Sequence, residues 1–311
     1  MRILVTPRSF GKTDPTAFKL LEDAGFEVVK NETGGILDEQ QLSRLIHDCH
    51  GVILGVDPLN ASVLQNAPLL KAVAKYGVGI DNIDLNACTA RDIVVTRTVG
   101  ANSNAVADYA FALMLAVARK VVQIDVKCRS FDWSKPTTLD VYGKTLGLVG
   151  LGAIARGVAA RAKGFGMEVL AHDVYWDNEY ANAAGITKAS LNEIYTKSDF
   201  ISIHIPLTPE THMLIGTAEI EMMKPTAVII NTARGGIVDE AALLAALQSG
   251  KIYGAGIDAF EQEPPENPAW FALENIVIGS HCGASTVGAT EQMSQMAARN
   301  IIESLAGFAR A

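Results

Sequence analysis

Short apolar runs alternate with helical stretches along almost the whole chain. In the first hundred residues these runs predict five strands, at residues 3–6, 26–30, 52–55, 72–75 and 93–96. Amphipathic spacing between them predicts helices at residues 15–24, 39–47 and 85–91. Such a repeat of strand and helix is typical of a parallel sheet that is covered by helices on both faces.

The pattern starts again after a long predicted helix at residues 104–120 and a more polar stretch at residues 127–143. Six further strands are predicted, at residues 145–149, 168–172, 200–205, 227–231, 254–258 and 276–279. Six strands of this kind are typical of a complete dinucleotide-binding sheet. We therefore predict an α/β protein with two doubly wound parallel-sheet domains.

The last predicted helix, residues 286–308, is amphipathic, and its methionines lie at the spacing of a core-facing stripe. The second sheet is complete before this helix begins. We therefore expect the helix to return and pack on the first unit, which would make that unit discontinuous in sequence.

Composition excludes several classes of protein. With 49% apolar and 19% charged residues, the 311-residue chain is too apolar to be disordered as a whole. A net charge of −8 argues against a nucleic-acid partner. The longest nearly uncharged stretch, residues 109–118, is half of the roughly 20 residues that span a bilayer, which argues against a membrane protein. The four cysteines lie far apart, so we expect a cytoplasmic protein with reduced thiols and no metal site.

A glycine-rich turn follows the first strand of the second unit. Gly150 allows a tight turn, Gly152 lets the backbone approach a pyrophosphate, and Ala155 takes the small third position of the dinucleotide fingerprint. The N–H groups at the start of the helix predicted at residues 154–165 would receive the negative charge. A turn that serves packing alone is the alternative.

Asp173 lies at the end of the next strand, 23 residues beyond Gly150. A carboxylate at this position hydrogen-bonds the ribose diol and repels a 2′-phosphate, so NAD is preferred over NADP. The alternative role of Asp173 is a helix N-cap. Strand, turn, helix and acid together predict an NAD site.

Three polar residues, Arg234, Glu263 and His281, lie just after successive predicted strands. Ligands bind at this edge of an open parallel sheet, so we expect the three side chains to be neighbours. A carboxylate stabilises a protonated histidine, which suits acid/base chemistry near neutral pH. The planar fork of a guanidinium matches a carboxylate. Taken singly, each residue could equally be an ordinary loop or surface residue.

Several runs occur together in a fixed order. They are the Gly150 turn with Asp173, followed by residues 231–240, 256–265 and 281–286, and in the first unit residues 75–84 and 100–108. With these runs the chain resembles the D-isomer-specific 2-hydroxyacid dehydrogenases over nearly its whole length, and most closely their phosphoglycerate dehydrogenase branch.

The resemblance implies a fold and an activity. A Rossmann NAD-binding domain at residues 100–285 would be inserted into a flavodoxin-like substrate domain at residues 1–99 and 286–311. The protein would be a homodimer that transfers hydride between the nicotinamide and C2 of a 2-hydroxy or 2-keto acid.

The resemblance also implies roles for single residues. Arg234 would hold the substrate carboxylate, His281 would exchange the proton on the C2 oxygen, and Glu263 would bind the far side of the His281 ring. Backbone N–H groups would bind the substrate at Gly77, Val78 and Gly79. The cofactor would be bound by Gly150, Gly152, Ala153, Ile154, Asp173, Ile205, Thr232, Ala233, Asp258, Gly283 and Ala284.

The substrate stays open at this point. Gly55 lies where phosphoglycerate enzymes often carry an arginine for the phosphate, so 3-phosphoglycerate is one candidate among 2-hydroxy acids. We hypothesise that Arg8 or Arg97 binds a distal acidic group instead. Two other functions share the fold: a non-catalytic, NAD-sensing corepressor-like scaffold, and a formate-type dehydrogenase, although the latter pairs its histidine with glutamine rather than with the glutamate found at position 263.

Overall fold

The computed structural model describes residues 1–308 and divides the chain into two compact units. The first unit is Met1–Asn102 with the described residues from Ser285 onward, and the second is Ser103–Ala284. The sequence placed the two borders at 99/100 and 285/286, a few residues away. Each unit has its own parallel sheet.

The first unit contains a five-stranded sheet in the order β2-β1-β3-β4-β5, with every pair parallel. This order is the flavodoxin-like one. Its strands are β1 (Arg2–Val5), β2 (Glu27–Lys30), β3 (Gly51–Leu54), β4 (Ala72–Lys75) and β5 (Val94–Arg97). The helices that follow the first four strands are α1 (Thr16–Asp23), α2 (Glu39–Ile46), α3 (Ala61–Gln65) and α4 (Leu85–Thr89).

The second unit contains a seven-stranded parallel sheet in the order β12-β11-β10-β9-β6-β7-β8. Its strands are β6 (Thr145–Val149), β7 (Glu168–His172), β8 (Thr187–Lys188), β9 (Phe200–Ile203), β10 (Val228–Asn231), β11 (Gly254–Ile257) and β12 (Ile276–Ile278). The prediction of six strands is wrong by one, because β8 has only two residues and both are exposed. This short strand carries no hydrophobic pattern.

The helices of the second unit cover both faces of this sheet and form two apolar clusters. They are α5 (Ser103–Ala118), α6 (Val121–Arg129), α7 (Ala153–Gly164), α8 (Asn178–Ala184), α9 (Leu191–Lys197), α10 (Thr217–Met222) and α11 (Glu240–Ser249), with a 3-10 turn at Pro268–Ala272. Every residue of β9, β10 and β11 is buried, as expected of central parallel strands. The strand order changes direction at β6, between β7 and β9, which is where such a sheet binds ligands.

The last helix, α12 (Val287–Ala306), belongs to the first unit. Met293, Ala297, Ile301 and Leu305 are buried along one face. Ile301 and Leu305 pack with Ile3 of β1, so the helix covers the first sheet where the sequence placed it. Among residues 1–308, no helix is both long and apolar enough to cross a membrane.

Candidate active site

The glycine turn begins where β6 ends. Gly150 has φ +95°, and its N–H donates to the carbonyl oxygen of His172 at 2.8 Å. A Cβ atom here would lie 2.7 Å from the carbonyl oxygen of His204 and 2.9 Å from Cγ2 of Ile205. A side chain would have neither the backbone conformation nor the space, so glycine is required. The turn therefore brings the ends of β6, β7 and β9 together.

The start of helix α7 is open. Gly152 is its N-cap, and a Cβ atom built there would meet no atom within 4 Å. Ala153 is exposed and Ile154 half-buried, whereas Ala155 is fully buried against the core. The first N–H groups of this 12-residue helix carry partial positive charge, which suits a pyrophosphate in the open space.

The Asp173 carboxylate is held beside this turn. Its Oδ2 accepts from the N–H of Leu151 at 2.6 Å and its Oδ1 from the N–H of Tyr175 at 2.7 Å. A carboxylate has about four acceptor sites, so two remain for other donors. The geometry therefore fits a ribose diol and also gives Asp173 a local structural role.

His204, at the end of β9, is a residue that sequence reasoning missed. Its Nε2 lies 2.8 Å from the hydroxyl oxygen of Ser202, and burial lowers its pKa to about 3, so the ring is neutral. Its backbone abuts Gly150 and its neighbour is Ile205. The sequence signal that could have identified His204 is its position directly after the buried strand β9. His204 packs the turn without adding charge.

The turn after β10 is clamped by a buried asparagine. Asn231 Oδ1 accepts from the N–H of Ala233 at 3.0 Å, and Nδ2 donates to the carbonyl oxygen of Arg234 at 2.7 Å. Within the described residues, the buried hydroxyl of Thr232 has no hydrogen-bond partner. An unpaired buried hydroxyl is costly and fits a polar ligand group. The donor set and the open helix start thus fit a bound dinucleotide.

A close backbone approach joins the turn after β10 to the loop after β11. A Cβ atom on Gly235 would lie 2.0 Å from the carbonyl carbon of Phe260 and 2.1 Å from the nitrogen of Glu261. Only glycine allows this contact, since any side chain would overlap the neighbouring backbone. The contact brings the turn that carries Arg234 against the loop that carries Glu263.

Glu263 and His281 form a direct pair. Nδ1 of His281 lies 2.9 Å from Oε1 and 3.0 Å from Oε2 of Glu263. Oε1 also accepts from the N–H of Phe260 at 3.1 Å. With Nδ1 facing the carboxylate, Nε2 is the ring atom that is directed away from it. A histidine held in this way can exchange a proton at Nε2.

The charge state of Glu263 follows from its neighbours. Partial burial favours the neutral acid, but the hydrogen bond and charge of His281, the Phe260 N–H and the charge of Arg234 together outweigh it. The pKa of Glu263 therefore lies below its ordinary value. Glu263 is therefore a carboxylate at neutral pH.

Asp258 has a structural role beside the nicotinamide contact that the resemblance implied. Its buried carboxylate accepts from the N–H groups of Cys282 at 3.0 Å and Gly283 at 2.9 Å. His281, just before them, has φ +56°, which is uncommon for a residue with a side chain. Asp258 thus holds the His281 turn, with half-buried Ala284 following it, in addition to any contact with a nicotinamide.

The glycine loop of the first unit requires one correction. The N–H of Gly77, expected to bind substrate, donates to Oγ1 of Thr98 at 2.9 Å. Gly77 has φ +134°, so its role is to shape the turn. The N–H groups of Val78 and Gly79 remain as the predicted carboxylate donors.

The two arginines suggested for a distal acidic group are both exposed. Arg8 Nη1 donates to the carbonyl oxygen of Gly34 at 3.3 Å. Arg97 is the last residue of β5, and its carbonyl oxygen accepts from Asn300 Nδ2 at 3.1 Å. Neither contact favours one arginine, so the hypothesis remains open for both.

Comparison with known proteins identifies the family. Residues 111–283 match the model of the "D-isomer specific 2-hydroxyacid dehydrogenase, NAD binding domain". A glyoxylate reductase of Thermococcus litoralis is 44% identical over 260 residues, which cover 81% of this chain and 78% of that protein. The chain belongs to the D-isomer-specific 2-hydroxyacid dehydrogenases. It is an NAD-dependent oxidoreductase of 2-hydroxy acids, and its cofactor is NAD.

Other family members are similar to the chain in sequence or in fold. A D-3-phosphoglycerate dehydrogenase of Methanocaldococcus jannaschii is 38% identical over 302 residues, which cover 95% of this chain and 57% of that protein. Its identity is lower than the 44% of the glyoxylate reductase. The TT0316 protein of Thermus thermophilus superposes with a TM-score of 0.90 at 38% identity, covering 99% and 97% of the two chains. The D-lactate dehydrogenase of Aquifex aeolicus, complexed with NAD and lactic acid, superposes at 0.84 with 27% identity, covering 99% and 95%.

We predict that Asp173 sets the preference of this dehydrogenase for NADH. In Asp173→Ser, the ratio of kcat/KM with NADH to kcat/KM with NADPH should fall by about tenfold, because a hydrogen bond to a charged group contributes roughly 1.5 kcal/mol. Asp177→Asn is the matched control, since it removes the same charge nearby and should leave the ratio unchanged. Steady-state kinetics with both cofactors measures this ratio. An unchanged ratio in Asp173→Ser would refute the role of Asp173 in cofactor preference.

Proposed function

We propose that this enzyme reduces a small, unphosphorylated 2-keto acid with NADH, with glyoxylate as the representative substrate. The observation that carries the catalytic part is the pair of Glu263 and His281 beside Arg234, on the loops after three adjacent strands. The similarity to glyoxylate reductases supports the choice of substrate.

The proposed chemistry divides between two side chains. The Arg234 guanidinium binds the substrate carboxylate and polarises the C2 oxygen. His281, protonated and held by Glu263, gives the proton at Nε2 to that oxygen as it gains negative charge. When bound, NADH supplies the hydride that C2 receives. In the reverse direction His281 takes the proton from the hydroxyl group.

Several residues would hold the cofactor. Gly152, Ala153 and Ile154 at the start of α7 would hold the pyrophosphate. Asp173 would bind the adenosine ribose, and Ile205 lies beside the turn. The nicotinamide end would be held by the unpaired Thr232 hydroxyl, Ala233, Asp258 and the loop from His281 through Gly283 to Ala284.

The segment after β3 supports a substrate without a phosphate. Gly55 has no side chain at the position where phosphoglycerate enzymes often have arginine, and its neighbour Val56 is exposed and apolar. A phosphate would gain no cation from the side chain at position 55. We therefore rank 3-phosphoglycerate below small 2-keto acids.

A non-catalytic NAD-sensing scaffold is the second candidate. Corepressor-like proteins can keep the arginine, the glutamate and the histidine, so the Glu263 to His281 pair alone does not separate the two functions. The net charge of −8 and the similarity to glyoxylate reductases favour the enzyme.

We predict that the protein oxidises NADH in the presence of glyoxylate, and faster than with 3-phosphohydroxypyruvate. His281→Asn should lower turnover by about 10² to 10⁴ fold, as expected for loss of a general acid. NADH affinity, measured by fluorescence titration, should change little. His47→Asn, at an exposed histidine of the first unit, should keep full activity. Unchanged turnover in His281→Asn would rule out the catalytic assignment of His281, and a wild type without turnover would favour the scaffold.

We also propose that the protein is a homodimer whose contact includes the segment of residues 121–133. Helix α6 has no buried residue, and its valines together with Phe131 and Trp133 are exposed. Exposed apolar side chains that are concentrated in one short segment are typical of an interaction site.

Sedimentation velocity should give about twice the 33.1 kDa chain mass for the wild type. The double variant Val122→Asp/Val126→Asp should sediment as a monomer, because it buries charge in the contact. Val174→Asp, at an exposed valine outside the segment, is the control and should stay dimeric. A monomeric wild type would contradict the proposal.

A further inference from the structure

A buried polar cluster lies at the carboxyl edge of the first sheet. Lys75, the last residue of β4, is 5% exposed, and Asp57, three residues after β3, is 3% exposed. Burying charged groups is costly unless they are fully hydrogen-bonded. Ligands bind at this edge in doubly wound sheets. The buried charges of Lys75 and Asp57 therefore lie where a functional role is expected.

The Asp57 carboxylate ties together three pieces of chain. Its Oδ2 accepts from the hydroxyl of Thr6, just after β1, and its Oδ1 accepts from the N–H of Leu37 at 2.7 Å. The same Thr6 oxygen accepts from the N–H of Gly55 at 2.9 Å. Asp57 therefore fixes residues 55–57, the Gly55 segment, against the end of β1.

Lys75 and Asn82 tie the next loop to the same segment. Lys75 Nζ donates to the carbonyl oxygen of Gly55 and to Oδ1 of Asn82, the latter at 2.7 Å. Asn82 Nδ2 donates to the carbonyl oxygens of Asp57 at 2.6 Å and Gly55 at 3.1 Å. The loop of residues 76–82 is thus anchored on the Gly55 segment at both of its ends.

We propose that Lys75 and Asn82, with Asp57, are positioning residues for substrate binding. They fix both ends of the loop that presents the N–H groups of Val78 and Gly79 to the substrate carboxylate. This inference rests on the proposed function, because it takes that loop as the carboxylate-binding loop. In this proposal Lys75 acts through its hydrogen bonds to Gly55 and Asn82, and it does not contact the substrate itself.

The same cluster leaves little space for a side chain at position 55. Both backbone groups of Gly55 are hydrogen-bonded within it. A Cβ atom at this position would lie 3.3 Å from Oδ2 of Asp57 and 3.6 Å from Pro7. The Cβ atom of any side chain here would press on a carboxylate oxygen that Thr6 holds in place. The cluster therefore favours substrates that need no cation at position 55.

The test uses variants of the full chain and a matched control at the opposite edge of the same sheet. Lys75→Met and Asn82→Ala remove anchors of the loop. Arg91→Met is the control, since Arg91 donates to the carbonyl oxygens of Leu64 and Ala67, away from the loop. Thermal unfolding, NADH affinity, glyoxylate kinetics and calorimetric binding of oxamate, an unreactive 2-keto acid analogue, are measured for each.

Lys75→Met and Asn82→Ala should raise KM for glyoxylate and Kd for oxamate by about ten- to a hundredfold, the range expected from a misplacement of about 1 Å. NADH affinity should be unchanged and kcat should change much less than KM, as expected for lost ground-state binding. Arg91→Met should lower thermal stability and leave both constants unchanged.

KM and Kd within twofold of wild type in Asn82→Ala would overturn the inference, and so would an equal rise of both constants in Arg91→Met. Asn82→Ala decides the matter if Lys75→Met does not fold. If the wild type binds oxamate but reduces no 2-keto acid, the proposed function is wrong. The Kd values of the variants for oxamate then still test the inference. A wild type that does not bind oxamate overturns the inference as well.

Discussion

Two hydrogen-bond contacts, from the His281 ring to both oxygens of Glu263, determine what the second unit can do chemically. They fix the orientation of the ring, hold Nδ1 and leave Nε2 for the reaction. Each partner depends on backbone constraints: Glu263 on the close approach at Gly235, and the His281 turn on the N–H groups that Asp258 accepts. Parallel pairing of β10, β11 and β12 brings the two loops to the same edge.

An acidic protein that handles acidic ligands needs local donors. The net charge is −8, yet a dinucleotide and a 2-keto acid are both anions. Backbone N–H groups at the start of α7 and, as proposed, at Val78 and Gly79 supply partial positive charge without a basic surface. Arg234 adds a formal charge where a carboxylate is expected. Binding is therefore local and does not depend on overall charge.

Much of this arrangement could be predicted from the sequence because periodicity and turn chemistry are local. All strands of both sheets except β8 follow from their apolar runs, and the glycine turn at Gly150 and the acid at Asp173 follow from fixed spacing after a strand. The return of α12 to the first sheet also follows, since its apolar face had no place left in the second.

The rest depends on contacts between distant residues. Strand β8 is too short and exposed to leave a pattern. That the N–H of Gly77 is taken by Thr98 depends on a contact across 21 residues. The hydrogen bonds from the His281 turn to Asp258 also join separate loops, and so do those of the cluster around Lys75. Sequence spacing identifies Gly77, Asp258 and His281 as candidates but does not say which partner each one binds, and it does not single out the residues around Lys75.

The most direct test of the central pair is a comparison of kcat for glyoxylate reduction in the wild type, Glu263→Gln, His281→Asn and the double variant. Both oxygens of Glu263 lie within 3.0 Å of Nδ1 of His281, so Glu263 should act through that ring. Glu263→Gln alone should lower kcat by about tenfold or more, since a hydrogen bond to a charged group contributes roughly 1.5 kcal/mol or more. The double variant should lose no more turnover than His281→Asn alone. Losses that multiply in the double variant would contradict the account.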